Sequence, residues 1–300
     1  MKKIIFLLSM IAGFPAFIAA QNVVEVTEAG TLQQAVEAKN FADLHQLKVI
    51  GPLNGTDIRY LSNLSGNDWD WEKEKLSNDL ILAATLEDLD LSEAQIVQGD
   101  DAYSFLWLSS SYETIFYTKD NEVTPYFFWN CRVLRKLKLP KVNKVTKFFC
   151  WPNGLSNLTE LWITAKVTED VCFSSSGMLE KLVLCVDSLG FRSFTIKGLK
   201  QVVSLTATPP RMGERVLTFA SEQELLVPAE AVEAYRQAEG WNRFKEIRAY
   251  ADGEYPTNIN TPRLVRDEQP DGIYNLNGQR LTAPQPGVNI VNGKKVFVGR

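Results

Sequence analysis

Histidine is nearly absent from this 300-residue chain: there is one, His45. A histidine-centred nucleophilic triad would have to be built on it, and no G-x-S-x-G accompanies it. Its place between Leu44 and Leu47 reads as a loop or helix-end position. Four cysteines, Cys131, Cys150, Cys172 and Cys185, with no C-x-x-C, make a poor zinc ligand set. They are also too few for a disulfide-stapled scaffold of this size, so buried thiols are expected, with one bridge as the alternative. No glycine-rich phosphate loop is present, and no cofactor or metal is implied. Basic excess is missing as well: once Lys2 and Lys3 are set aside, 30 basic side chains face 36 acidic ones, a formal charge of -6. Such a balance does not attract nucleic acid. Beyond residue 20 no apolar run is long enough to span a bilayer, so no transmembrane segment is expected in the mature chain.

What stands at the start is Met1-Lys2-Lys3 and then an almost wholly apolar stretch from Ile4 to Ala20. This has the form of a signal peptide over residues 1–20, cleaved after Ala20. Export is therefore expected, to the medium or the cell surface. No cysteine follows the apolar run, which speaks against a lipid anchor at the new N-terminus.

The body of the chain is organised by a recurring pattern. Leu134-Arg135-Lys136-Leu137-Lys138-Leu139 is followed by Leu158 to Ile163, Leu179 to Leu184 and Val202 to Ala207, with starts 24, 21 and 23 residues apart. The period is that of a leucine-rich repeat, in which one short strand per unit stacks on its neighbour. The last two apolar residues of a unit are two apart and share one strand face, so stacked units bury a continuous core. Phe128 and Cys131 precede Leu134 as F-x-x-C-x-x-L, and Phe173 stands before Leu179 with Ser176 in the cysteine place. The predicted fold is an α/β solenoid, a right-handed leucine-rich repeat stack with short parallel strands. Leu86-Glu87-Asp88-Leu89-Asp90-Leu91 is another clean copy, 48 residues or two periods before Leu134. Leu106-Trp107-Leu108 is the candidate for the strand between them. Leu44-x-x-Leu47-x-Val49 is an imperfect earlier copy.

Around this stack, Thr31 and Gln34 suggest a capping box opening a helix whose inner face is Leu32, Ala35 and Val36. Gly51-Pro52 reads as the end of a strand and Asn54-Gly55 as a turn, with a short helix over Asp57, Ile58 and Leu61. Residues 66–79 read as an excursion of a return path. Thr208-Pro209-Pro210 closes the last repeat, and Glu224 to Val227 reads as a last strand. A helix then starts at Pro228, presents Ala231, Val232, Tyr235 and Ala238, and ends at Gly240. Trp241, Phe244 and Ile247 are expected to cover the open end. The predicted organisation is a signal peptide at 1–20, a repeat domain with terminal cap at 21–250, a linker at 251–270 and a hairpin tail at 271–300. The tail carries turns at Asn277-Gly278 and Asn292-Gly293.

Three stretches carry a family resemblance: Leu47 to Ile58, Leu89 to Ala94, and Phe128 to Pro140, reading F-W-N-C-R-V-L-R-K-L-K-L-P. With the segment Val227 to Ile247, they make the chain similar to the exported leucine-rich repeat proteins of Bacteroides-type anaerobes, the BspA-like class. The resemblance implies a secreted or surface scaffold, in some members associated with adhesion. The tail likewise resembles small C-terminal modules of exported proteins in that group, some of them sorting signals.

The strand residues between the leucines face outward. There, Lys136, Lys138, Glu160, Trp162, Lys181 and Val183 are the candidate ligand-binding residues, continued by Asp88 and Asp90 on one side and Ser204 and Thr206 on the other. A rigid sheet with one variable position per strand suits protein or glycan recognition, and Trp162 offers a flat anchor. This points to a non-catalytic binding scaffold. A second class is a carbohydrate-active enzyme using carboxylates in the stretch Asp88 to Asp101, which would need two of them about 5–9 Å apart. A third is a structural stalk with no ligand.

Overall fold

The computed structural model describes residues 22–70, 72–109, 112–146, 155–171, 178–194, 196, 198–218, 220–251, 255, 273–275, 280–281, 285–291 and 294–298. The signal peptide, Cys150, Cys172, Phe173, most of the linker and both Asn-Gly turns of the tail lie outside them. The chain divides into two compact units, up to Tyr250 and from Ala251 onward.

The first unit is built on a large parallel sheet with few helices. Nine strands lie in a row in chain order: β1 (Asn22–Glu25), β2 (Gln46–Leu53), β3 (Asp88–Ile96), β4 (Lys136–Lys138), β5 (Glu160–Glu169), β6 (Lys181–Leu189), β7 (Gln201–Ser204), β8 (Glu224–Val227) and β9 (Glu246–Ala249). Three shorter strands, Glu122–Val123, Val142–Thr146 and Arg211–Met212, pair in parallel beside this path. Across it, Leu47, Leu89, Leu137, Leu161, Leu182, Val202, Leu225 and Ile247 stand in register. All eight are buried in one core. Adjacent strands are about 4.8 Å apart, so each of these side chains packs against the next. Phe128, Cys131 and Leu134 of the F-x-x-C-x-x-L run are buried there too.

The strand entrances repeat one backbone device. A single carbonyl accepts two successive N–H groups of the following strand entrance: His45 from Glu87 and Asp88, Glu87 from Arg135 and Lys136, Arg135 from Thr159 and Glu160, Thr159 from Glu180 and Lys181, and Glu180 from Lys200 and Gln201, all at 2.7–3.1 Å. His45 therefore does its structural work through its main chain, and its side chain is exposed.

This device corrects the fourth repeat. Leu182 pairs with Val202, so the unit starts at Leu199, three residues earlier than the apolar pattern suggests. Ser204 then occupies the place of an inward leucine. It is fully buried, and the Tyr235 hydroxyl lies 2.6 Å from its Oγ. The 48-residue gap is corrected as well: β3 pairs directly with β4, with no strand between them. Leu106 to Leu108 belongs instead to a separate antiparallel hairpin, Ala102–Ser109 with Tyr112–Tyr117. At the other end Glu224–Val227 is not the last strand, because Ile247, expected to cover the open end, pairs with Leu225 as part of β9. Strand β1 was not anticipated.

Helix α1 (Leu32–Lys39) has no side-chain bond from Thr31 to its first turn. Its entrance is held by Asp57, whose carboxylate accepts from the N–H groups of Gly30 at 2.7 Å and Leu32 at 3.0 Å. Asn54-Gly55 is not a turn but the start of helix α2 (Gly55–Leu64), with Asn54 as N-cap and Asp57 returning to the Asn54 N–H at 2.9 Å. Nor does Gly51-Pro52 stop β2. Gly51 has φ +107°, and a Cβ there would lie 2.0 Å from the Val26 carbonyl oxygen, so only glycine lets the chain pass. Residues 69–76 form a short hairpin, Trp69–Asp70 with Lys75–Leu76. Helix α3 (Asn78–Ala83) follows it. After β8 comes helix α4 (Val232–Gln237), whose Tyr235 is fully buried, followed by buried Trp241.

The second unit contains a four-stranded antiparallel sheet in the order Arg280–Leu281, Ile273–Asn275, Gly287–Val291, Lys294–Val298. Among the described residues no helix is long and apolar enough to cross a membrane, which says nothing about crossing by strands.

Candidate functional site

The outward face of the sheet carries two rows in register. One runs Gln46, Asp88, Lys136, Glu160, Lys181, Gln201, Glu224 and Glu246. The other runs Lys48, Asp90, Lys138, Trp162, Val183, Val203, Leu226 and Arg248. Five of the six expected residues sit there at least partly accessible. The sixth does not: Val183 is buried at 1% exposure, as are Val203 and Leu226 further along the row. Trp162 and Val203 flank Val183 on the neighbouring strands. These three side chains lie outside the main core. Ser204 was expected outward and faces inward. Gln201, Glu224 and Arg248 belong to the outward rows and were missed: the three-residue slip at Leu199 hid Gln201, and the sheet was expected to end before β9.

Several polar members of this face are engaged with one another. Lys138 Nζ lies 2.9 Å from Asp90 Oδ2 and 5.1 Å from the centre of the Trp162 ring. The indole N–H of Trp162 donates to Glu160. Lys181 Nζ stands 3.9 Å from Glu160 Oε1. Glu224 accepts from Gln201 at 2.9 Å and from Arg248 at 2.5 Å. Burial works to raise the pKa of Glu224, and those two donors outweigh it, holding it below the usual value. The Trp162 ring is thus fixed by two polar partners.

The carboxylates of the enzymatic alternative do not all converge. Asp88 and Asp90 open β3, while Asp101 follows its far end, accepting from Thr56 Oγ1 at 2.6 Å. A nine-residue strand keeps these groups roughly 25 Å apart. Asp88 and Asp90 share a face, and their environments differ. Burial pushes Asp88 up against the pull of Lys136 and Lys138. Burial would raise Asp90 too, but hydrogen bonds from the Ser92 hydroxyl and N–H and from Lys138 prevail, and its pKa falls below the ordinary value. Opposed shifts of this kind are what a general acid and an ionised second carboxylate need. Asp90 is nevertheless 6% exposed at its side chain and committed to those donors. Burial pushes the Cys185 thiol up, away from the reactive thiolate. Among the described residues no group of three or more metal-type side chains converges.

A second cluster lies outside the sheet. Three excursions meet at Trp69, Phe105 and Trp129: the Trp69 and Phe105 ring centres are 4.6 Å apart, those of Phe105 and Trp129 6.4 Å, both edge to face. Phe105 is buried, and the two tryptophans are half-buried. Beside them Asp68 Oδ1 accepts from Asn130 Nδ2 at 2.5 Å and Asp68 Oδ2 from Arg132 Nη2 at 2.9 Å, while Arg132 Nε donates to Asn130 Oδ1 at 3.0 Å. The chain reaches this arrangement through Tyr126, Phe128 and Asn130, all at φ between 56° and 63°. Each non-glycine residue held there costs about 1 kcal/mol or more. The alternation buries Phe127 and Phe128 while leaving Trp129 half-covered. Trp69 and Trp129 stand out in the sequence; their polar partners, 62 and 64 residues apart in the chain, do not.

No family model matches the chain, and no curated protein matches it.

Proposed function

We propose that the chain is a right-handed leucine-rich repeat stack of the BspA-like class, exported to the medium or cell surface, and a non-catalytic scaffold that binds protein or glycan on its outward strand face. The observation that carries this reading is Trp162: a half-buried indole held at Glu160 and flanked by Lys138 on a register-locked parallel sheet. The 20- to 24-residue spacing of Leu134, Leu158, Leu179 and Leu199 supports the repeat assignment. Because Lys138, Lys181 and Glu160 are already paired, the ring supplies most of the affinity and the charges supply orientation. The test is a glycan-array and host-protein screen of the chain beside Trp162→Ala. Loss of the ring is expected to weaken binding by about thirtyfold or more. A folded Trp162→Ala protein that binds unchanged removes the strand face as the site. No ligand at all would favour the stalk.

A second reading, a carbohydrate-active enzyme, is favoured by Asp88 and Asp90 standing two residues apart on one strand in unlike surroundings, one pushed up by burial and the other held down by its hydrogen-bond donors. Glycan hydrolysis that disappears in both Asp88→Asn and Asp90→Asn would establish it over the first.

A further inference from the structure

We infer that the Trp69–Phe105–Trp129 cluster, with Asp68, Asn130 and Arg132 at its side, is a saccharide-binding subsite distinct from the strand face. The inference rests on the reading of the chain as a binding scaffold and adds a second surface to it. Three separate excursions from the sheet supply its parts: the 69–76 hairpin, the 102–117 hairpin and the turns before Arg132. Phe105 is the buried floor, standing edge to face against both half-buried tryptophans and fixing their planes. Flat, immobile rings present an apolar face that matches the C–H face of a pyranose.

The polar side has the chemistry to read the hydroxyl rim. Asp68, Asn130 and Arg132 orient each other in a closed set of three hydrogen bonds, so a ligand need not order them. The set also keeps capacity. A carboxylate has about four acceptor sites and a guanidinium five N–H donors, more than these bonds use. Arg132 remains 37% exposed at its side chain, and Asp68 12%. A carboxylate and a guanidinium locked together are compensated in charge, which suits a neutral sugar better than an acidic or basic peptide. Few fixed polar groups beside an aromatic wall is the usual make-up of a small-molecule site.

The experiment is native affinity electrophoresis of the full chain through gels containing single neutral polysaccharides: a β-glucan, a xylan, a galactomannan and starch. At least one should retard the protein. Trp129→Ala and Arg132→Met should each weaken that retardation by about tenfold or more, while Lys39→Ala, at the exposed end of α1, leaves it unchanged. Thermal melting checks folding; if Trp129→Ala does not fold, Arg132→Met decides. No retardation by any of the four overturns the inference, as does retardation that survives Arg132→Met in a folded protein. Retardation lost only in Trp162→Ala also overturns it, and leaves the strand-face reading standing. A protein ligand found with no retardation likewise removes the subsite without touching the scaffold.

Discussion

Replacing Asp57 by asparagine should cost more stability than any substitution at Thr31, the residue that sequence reasoning would choose as the cap. Asp57 is 1% exposed and takes three backbone N–H donors: Gly30 and Asn54 on Oδ2, and Leu32 on Oδ1. Both oxygens are needed. Asparagine offers one oxygen and turns an NH2 group toward a backbone N–H, so at least one buried donor is orphaned and the rest lose their charged acceptor. An orphaned buried donor costs about 1–3 kcal/mol, and bonds to a charged group contribute about 1.5–3 each. The expected loss is thus about 2–3 kcal/mol for Asp57→Asn, and more for Asp57→Ala, which strips the entrances of both α1 and α2. Thr31 Oγ1 only donates to the Glu28 carbonyl at an exposed position, so Thr31→Ala should cost under about 0.5 kcal/mol. Urea unfolding followed by far-ultraviolet circular dichroism measures all three. With an m-value of about 3 kcal/mol/M, Asp57→Asn lowers the midpoint by roughly 1 M. An Asp57→Asn midpoint within about 0.1 M of the parent, or a Thr31→Ala loss equal to it, would refute the reasoning.

Leu161→Ala removes a fully buried side chain from the middle of the inward row and should cost about 2–5 kcal/mol in the same assay, a loss under about 0.5 meaning that the row is not a shared core. Tyr235→Phe should cost about 1–3 kcal/mol, because the hydroxyl lies 2.6 Å from Ser204 Oγ and 2.8 Å from Thr206 Oγ1 and donates to the Thr206 carbonyl at 2.9 Å. Burial pushes the Tyr235 phenol up to about 12. The folded state therefore keeps a proton that the unfolded state loses near pH 10, so stability is intact below pH 10 and falls as pH rises toward 12. That decline should be shallower in Tyr235→Phe, and an identical slope in both proteins would exclude Tyr235 as its source.

The amino-acid sequence alone determined the inward rows. Leucines at L-x-x-L-x-L spacing repeat every 20-odd residues, and an apolar side chain two positions from another must share its strand face wherever the strand lies. Hence Leu89, Leu137, Leu161 and Leu182 were legible before any coordinates, and so were the alternating outward residues Lys136 to Lys181. The tail strands were legible from another local signal, the Asn-Gly pairs between β-rich runs. Tertiary structure decided what distant partners control. Ser204 can occupy a leucine's place only because Tyr235, 31 residues on, satisfies its hydroxyl; without that partner in view, the pattern slips by three residues. Val183 is outward by parity but buried, and parity says nothing about cover. The entrance of α1 looked self-capped by Thr31, yet its donors go to Asp57 on another helix, a carboxylate whose reach no local motif encodes. The 48 residues between two clean repeats fit two periods by arithmetic, but direct pairing of β3 with β4 turns the surplus into a hairpin that carries Phe105. Aromatic residues scattered over positions 69, 105 and 129 become one cluster only when the sheet folds three excursions to the same place. Local spacing fixes which way a side chain points; only the folded chain fixes what it meets there.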